Sequence, residues 1–146
     1  MRIKISTQVN QSPKQVLAGF DLDLFNALKP PLMPLKVLRF DGCETGDEVH
    51  LDVGFGMKWF AKIVDHGEED GSYFFVDEGF VLPFPLKSWR HRHGIAKSES
   101  GSMVIDDIEF SSGFVLLDVL LYPFLYTQFF WRKHIYTSCF GQHQIT

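Results

Sequence analysis

Hydrophobic and polar residues alternate along several stretches of the chain, which is the pattern of β-strands with one buried face. The pattern begins at residues 2–9, where Ile3 and Ile5 alternate with Lys4 and Ser6. Further predicted strands cover residues 35–40, 49–55, 58–63, 72–77, 87–96 and 102–111. Seven strands separated by short polar turns favour an antiparallel sheet.

Two short helices are predicted between the first two strands. Ser12 followed by Pro13 is a typical helix start, with serine as N-cap and proline in the first turn, and it leads into a helix that ends near residue 20. Asp21 is a second N-cap, and Pro30 and Pro31 end the helix that it begins.

A long helix is predicted over residues 114–140. On an ideal helical wheel one side of this helix carries Leu116, Leu120, Phe124, Thr127 and His134. We expect that side to face the sheet, and we expect Pro123 to kink the helix.

The order of these elements predicts an α+β fold in which a curved seven-stranded antiparallel sheet wraps around a long C-terminal helix, with two short helices after strand 1. A chain of 146 residues without an evident linker is the size of one domain, so residues 1–146 are expected to share one core.

Aromatic residues are unusually frequent, with 15 Phe, 4 Tyr and 3 Trp. This is more ring volume than a core of this size needs, so some rings are expected to line a concave surface. We expect an apolar cavity of about 300 Å³ or more, the lower end of typical ligand sites.

Charge and cysteine content exclude several classes of function. A formal net charge of -4 argues against a nucleic-acid binder, because such a protein presents a basic surface to phosphates. The spacing of Cys43 and Cys139 is not that of a metal site, and two cysteines do not form a disulfide framework, which suggests a reducing compartment. Residues 1–7 do not resemble a secretory signal, so a cytoplasmic location is expected. Residues 114–131 are apolar enough to raise the question of a membrane span, but Asp118 and Pro123 favour a buried helix.

Three short motifs accompany this element order. They are the segment Leu82-Pro83-Phe84-Pro85-Leu86-Lys87-Ser88-Trp89-Arg90-His91-Arg92-His93, the pattern Asp106-x-Ile108-x-Phe110, and the run Phe129-Phe130-Trp131-Arg132. Together they resemble the START-like (SRPBCC) helix-grip superfamily, especially its small bacterial ligand-binding members. The resemblance covers nearly the whole chain in element order. It implies a helix-grip fold whose cavity holds lipids, polyketides or other apolar ligands, and some relatives are cyclases, dehydratases or hydrolases. A glycine-rich phosphate loop is not evident, so nucleotide binding is not supported.

The strand at residues 87–96 carries the candidate polar chemistry. Trp89, His91 and His93 alternate with Arg90 and Arg92, so the three rings share one face, which we expect to be the inner one. Two histidines spaced in this way can bind a metal. A third ligand has no motif in the sequence, and no metal and no cofactor are therefore predicted.

Asp106 is expected beside His93 on the adjacent strand. A two-residue turn at Glu99-Ser100 would pair residues whose numbers sum to about 199, which matches His93 with Asp106 and Trp89 with Phe110. A carboxylate among apolar side chains needs a partner, and the imidazole would provide one. We expect the carboxylate to raise the pKa of His93.

The leading hypothesis is a module that binds a hydrophobic small molecule, namely a lipid, a polyketide or an aromatic-like compound. The proposed apolar walls are Trp59, Phe84, Trp89, Leu116, Leu120 and Phe124, and the polar residues that orient one ligand group are His91, His93 and Asp106. The first alternative is a cyclase, dehydratase or hydrolase that uses His91 or His93 as a base with Asp106 as its orienting residue. The second alternative is an interaction protein whose aromatic helix docks on a partner or membrane. A homodimer is expected if Leu125 and Phe129 form a surface patch beside Tyr122 and Tyr126.

Overall fold

The computed structural model describes residues 1–30 and 33–141. Within these ranges the chain forms an α+β fold with a seven-stranded antiparallel sheet and a long C-terminal helix, which confirms the predicted fold class. In chain order the elements are β1 (Arg2–Val9), α1 (Pro13–Ala18), α2 (Leu22–Ala27), β2 (Lys36–Phe40), β3 (Glu48–Gly54), β4 (Met57–Glu69), β5 (Ser72–Val81), β6 (Ser88–Ser98), β7 (Gly101–Ser111) and α3 (Val115–Phe140).

Both short helices start at the predicted caps. The Ser12 hydroxyl accepts a hydrogen bond from the backbone N–H of Gln15, and the Gln15 side chain accepts one from the backbone N–H of Ser12. The Asp21 carboxylate accepts a hydrogen bond from the backbone N–H of Leu24 at 2.9 Å. Each cap satisfies a backbone donor that a helix start otherwise leaves unpaired. Helix α2 ends before Pro30, as predicted, whereas Pro31 lies outside the described residues.

The sheet is a meander closed by one long-range pairing. Its strand order is β1-β7-β6-β5-β4-β3-β2, so β1 pairs with β7 although the two are far apart in sequence. Strand β4 extends beyond its predicted end because it pairs with β5 in a hairpin as far as the turn, where Glu69 lies opposite Ser72, and β5 extends at its other end to Val81, which lies opposite Phe60. The outer part of that hairpin carries exposed polar side chains, so burial alone does not mark its length.

Helix α3 packs on the sheet with the opposite side from the one predicted. Leu116, Leu120 and Phe124 are 76%, 66% and 54% exposed, and Thr127 and His134 are exposed as well. The side that faces the sheet carries Asp118, Leu125, Phe129, Tyr136 and Phe140.

Asp118 explains this orientation. Its carboxylate accepts hydrogen bonds from the backbone N–H and the hydroxyl of Ser112, at 2.7 Å and 2.6 Å, just before the helix begins. Asp118 is therefore turned inward, and the residues one, two and three turns further along follow the same side of the helix. The assignment of Leu116, Leu120 and Phe124 to the inner wall is wrong for this reason.

Two neighbouring groups of buried side chains form the core. One joins α1, α2 and the C-terminal end of α3 through Val16, Leu24, Tyr136 and Phe140. The other joins β1, β6 and β7 to the middle of α3, and its members are Ile3, Ile5, Trp89, Ile108, Phe110, Leu125 and Phe129.

Because Leu125 and Phe129 belong to the core, they do not form the surface patch from which a homodimer was predicted. Among the described helices none is both long and apolar enough to cross a membrane.

Candidate functional site

A cavity lies between the concave face of the sheet, helix α2 and the middle of α3. Its volume is about 150 Å³, half of the smallest size expected from the sequence. Representative apolar side chains of its wall are Leu24, Leu28, Leu51, Val53, Trp59 and Ile63. The cavity is small because the rings pack against one another: the Trp59 and Trp89 rings meet edge to face with centroids 4.7 Å apart, and Phe129 lies 5.8 Å from Trp89.

Four of the six predicted apolar wall residues lie elsewhere: Phe84, Leu116, Leu120 and Phe124. Trp59 and Trp89 line the cavity, as predicted. Phe84 is 86% exposed in the loop between β5 and β6, so its assignment to the wall is wrong. Its place, and that of the outward-facing leucines and phenylalanine of α3, is taken by Leu125 and Phe129. The spacing of four residues places Leu125 and Phe129 on one side of the helix, and this spacing is the sequence signal for their position in the wall. Leu116, Leu120 and Phe124 form an equally apolar stripe on the other side, so the sequence does not choose between the two sides.

One end of the cavity is polar. Strand β6 directs Trp89, His91 and His93 inward and leaves Arg90 and Arg92 exposed, as the alternation predicted. The two imidazole centroids are 3.6 Å apart, and His93 stacks on Phe75 at 4.3 Å. The histidines are thus held between an aromatic ring on one side and α3 on the other.

The register between β6 and β7 is the predicted one, but the hydrogen bonds differ. His93 is paired with Asp106 and Trp89 with Phe110, around the turn at residues 99 and 100. The carboxylate of Asp106 nevertheless accepts its hydrogen bond from Nε2 of His91, at 2.8 Å, whereas Nδ1 of His93 is 3.9 Å away. The Tyr136 hydroxyl also donates to Asp106, at 3.4 Å. Asp106 is buried behind the histidines and is not among the residues that line the cavity.

Asp77 is a central site residue that the sequence analysis missed. It lies on β5 directly opposite His91 and accepts a hydrogen bond from Nε2 of His93 at 2.8 Å. Its Oδ2 atom is 3.7 Å from Nδ1 of His91. The signal that could have found it is the alternation of Phe75 and Asp77 along β5, which places the carboxylate on the same face as a core ring.

Arg132 of α3 completes the polar end. Its guanidinium lies over the ring of Phe129, 4.3 Å from the centroid, and 3.9 Å from Asp106. Burial acts to raise the pKa of Asp77 and of Asp106. The hydrogen bonds from the histidines and the positive charge of Arg132 outweigh burial, so both pKa values lie below the usual range. Both carboxylates are therefore ionised at neutral pH.

The pKa of His93 is lowered rather than raised. Burial is the largest cause, repulsion by His91 is the second, and together they exceed the stabilising effect of Asp77, so the pKa falls to about 4. His93 is therefore neutral at physiological pH. Its Nε2 carries the proton that is donated to Asp77, and its buried Nδ1 has no hydrogen-bond partner in the described part of the chain. Such an atom can accept a proton or a hydrogen bond, or change places with Nε2 as the protonated nitrogen.

No family model matches the chain, and no curated protein matches it either. Solved structures do match. Over 98% of this chain and 93% of the other, it is similar to protein Ms6760 of Mycobacterium smegmatis, with 15% identity and a TM-score of 0.65. Norcoclaurine synthase of Thalictrum flavum in complex with dopamine and hydroxybenzaldehyde matches 99% of this chain with 89% of its own, at 9% identity and a TM-score of 0.64. Ara h 8.0201 matches 88% of this chain with 93% of its own, at 13% identity and a TM-score of 0.53. These likenesses confirm the helix-grip fold expected from the START-like resemblance.

Proposed function

We propose that the chain binds a small, largely apolar molecule in the cavity and orients one polar group of that molecule at the end formed by Asp77, His93 and Arg132. The observation that carries this proposal is the contrast within one cavity: apolar walls surround most of it, and charged or hydrogen-bonding side chains converge at one end. This is the usual composition of a small-molecule site. The solved structure of norcoclaurine synthase with two ring compounds supports it by analogy of fold.

The size of the cavity narrows the class of ligand. A cavity of about 150 Å³ is comparable to an engineered one that accepts benzene. A single-ring aromatic compound with one hydrogen-bonding group therefore fits better than the lipid or polyketide that the resemblance implies. Phenol is a suitable probe because it combines one ring with one hydroxyl.

The test is a titration of the native protein with phenol and, in parallel, with palmitate, followed by calorimetry and by the shift in thermal midpoint. Ligand at 100 times its dissociation constant stabilises the native state by about 2.7 kcal/mol. We expect saturable binding of phenol and none of palmitate. Binding of palmitate alone would contradict the assignment to single-ring ligands, and binding of neither compound would contradict the proposed function.

A cavity-filling variant locates the binding. Ala61 is buried and lines the cavity, so Ala61→Leu adds three carbons into the space that a ligand would take. We expect phenol affinity to fall at least tenfold while circular dichroism stays unchanged. The matched control is Ala18→Leu on the exposed side of α1, which should leave affinity as it is. Equal affinity in both variants would place the ligand outside the cavity.

A second candidate function, an enzyme that moves a proton, is favoured by the neutral His93 whose Nε2 is held by Asp77. Its signature is exchange of an acidic C–H of a bound single-ring ketone such as phenylacetone, followed by NMR in deuterated water. His93→Gln should abolish the exchange and retain binding. Exchange at the same rate in this variant would contradict a catalytic histidine.

A further inference from the structure

We propose that Asp77, His91 and His93 bind one divalent transition-metal ion at the polar end of the cavity, and that Asp106 orients the two histidines for this purpose. The inference goes beyond ligand binding, because it assigns an ion and a positioning residue that the proposed function does not require.

The distances suit a metal site. One ligand atom from each of the three side chains lies within 4.8 Å of the others. Oδ2 of Asp77 is 2.8 Å from Nε2 of His93 and 3.7 Å from Nδ1 of His91. Metal–ligand bonds of about 2.0–2.1 Å in tetrahedral geometry separate ligand atoms by roughly 3.3 Å. The two distances to Asp77 therefore need adjustments of only about 0.5 Å.

The tautomer of His91 is already the one that a metal needs. Nε2 of His91 donates its proton to the carboxylate of Asp106 at 2.8 Å. In the neutral ring the other nitrogen, Nδ1, carries no proton, and it faces Asp77 at 3.7 Å. A carboxylate that accepts the distal N–H of a histidine is the usual way in which metal-binding proteins fix that ring. Asp106 makes this contact from behind, outside the cavity lining.

The buried Nδ1 of His93, which has no hydrogen-bond partner among the described residues, is further support for a bound metal ion. In the metal-free protein Nε2 donates to Asp77, and Nδ1 remains without a partner, which is costly for a buried polar atom. A metal on Nε2 would move the proton to Nδ1. The nearest carboxylate oxygen there is Oδ1 of Asp106, 3.9 Å away, within reach of a small shift. One ion thus replaces the hydrogen bond to Asp77 and gives Nδ1 a partner.

The charged side chains around the cluster and its position in the cavity also favour a bound cation. Two carboxylates, those of Asp77 and Asp106, share this cluster with one guanidinium, that of Arg132, which lies 3.9 Å from Asp106. A divalent cation held by the three ligands would offset the second carboxylate. Imidazole and carboxylate ligands suit zinc, iron and cobalt, and all three proposed ligands line the cavity, so the remaining coordination position faces the ligand space.

Cobalt(II) is the probe for the test, because its visible absorption reports coordination by nitrogen and oxygen. We expect chelator-treated protein to bind one Co²⁺ with a spectrum of low coordination number, and Zn²⁺ to displace it. Asp77→Asn should weaken binding at least tenfold. Asp106→Asn should weaken it 10- to 100-fold, the range for residues that orient metal ligands. The matched control, His66→Gln, removes an exposed histidine elsewhere on the sheet and should bind as the native chain does.

A measurement on the native chain guards against variants that fail to fold. In ¹⁵N-histidine NMR the proton of His93 should move from Nε2 to Nδ1 when one equivalent of Zn²⁺ is added, while His91 keeps its proton on Nε2. Unchanged tautomers at saturating Zn²⁺ would overturn the metal site, as would Asp77→Asn binding with native affinity. Phenol binding is measured separately in the presence of a chelator. The proposed metal site can therefore fail its test while the proposed ligand binding passes, and the reverse.

Discussion

Replacing Phe129 with alanine tests the orientation of α3 and the construction of the core. Phe129 is only 7% exposed, packs against Trp89 and His91, and carries the guanidinium of Arg132 over its face. Truncation of a core phenylalanine costs about 3–5 kcal/mol. The cation–π contact adds about 0.5–1 kcal/mol, and the better helix propensity of alanine returns roughly 0.5 kcal/mol. The expected loss in the free energy of unfolding is about 3–5 kcal/mol.

Phe124→Ala is the matched control on the same helix. Phe124 is 54% exposed, so about half of its ring leaves water on folding and its truncation costs about 1 kcal/mol, of which helix propensity returns roughly half. The difference between the two variants should therefore be about 2.5 kcal/mol or more. It corresponds to a gap of about 5–10 °C in thermal midpoint for a chain of this length.

The measurement is urea unfolding followed by tryptophan fluorescence and circular dichroism, with the slope m compared among the three proteins. Phe129→Ala should shift the midpoint strongly and Phe124→Ala slightly, at similar m. If Phe124→Ala cost as much as Phe129→Ala, the inner side of α3 would be the one that the helical wheel indicated. The packing described here would then be refuted.

Three further predictions rest on single contacts. The hydrogen bonds from Ser112 lower the pKa of Asp118, so ionised Asp118 stabilises the fold at pH values above its ordinary pKa of 3.8. This stabilisation is lost as the pH falls below 3.8 and through the lowered pKa of the folded state. The difference in unfolding free energy between the native chain and Asp118→Asn should therefore shrink over that range of an acid titration. Burial raises the pKa of the Cys43 thiol to about 12, whereas Cys139 is exposed. Iodoacetamide at pH 8 should therefore modify Cys139 and leave Cys43 unmodified until the chain unfolds. Equal rates of modification of the two cysteines, measured by mass spectrometry, would contradict the burial of Cys43. Gly101 has φ +149, and a Cβ at this position would lie 2.3 Å from the backbone oxygen of Val9. Gly101→Ala should therefore lower the free energy of unfolding by about 2 kcal/mol or more in the same urea assay. An unchanged free energy of unfolding would argue against this turn geometry.

The sheet was predictable from the sequence because its signals are local and agree with one another. The turn at residues 99 and 100, the inward phase of His91 and His93, and the pairing of His93 with Asp106 all follow from alternation and turn length. A slip of one residue would have exposed a whole face, and this constraint fixes the register.

The side of α3 that packs on the sheet was not predictable in the same way. Leu116, Leu120 and Phe124 form one apolar stripe, and Leu125 and Phe129 belong to another, so hydrophobic periodicity does not choose between them. The choice depends on the contact between Asp118 and Ser112, a polar interaction between a loop and a helix that no hydrophobic pattern reports.

The polar end of the cavity was half predictable. His91, His93 and Asp106 share a hairpin, and pairing rules bring them together. Asp77 comes from a third strand, and its contact with His93 depends on side-chain rotamers across the pairing of β5 with β6. The exchange of partners, in which Asp106 binds His91 and Asp77 binds His93, is likewise a matter of rotamers and not of register.

The pairing of β1 with β7 also sets the timing of folding during synthesis. β1 emerges from the ribosome early, yet among the described strands its only neighbour is β7, which is translated after the whole meander between them. At about 5–20 residues per second this leaves β1 unpaired for several seconds. Its two open edges present backbone donors and acceptors to any other extended chain throughout that interval. The carbonyl of Phe140, which accepts hydrogen bonds from the backbone of Asn10 and Gln11, secures the end of β1 only after α3 has formed. Nascent chains stalled before residue 101 should therefore be the ones that chaperones retain.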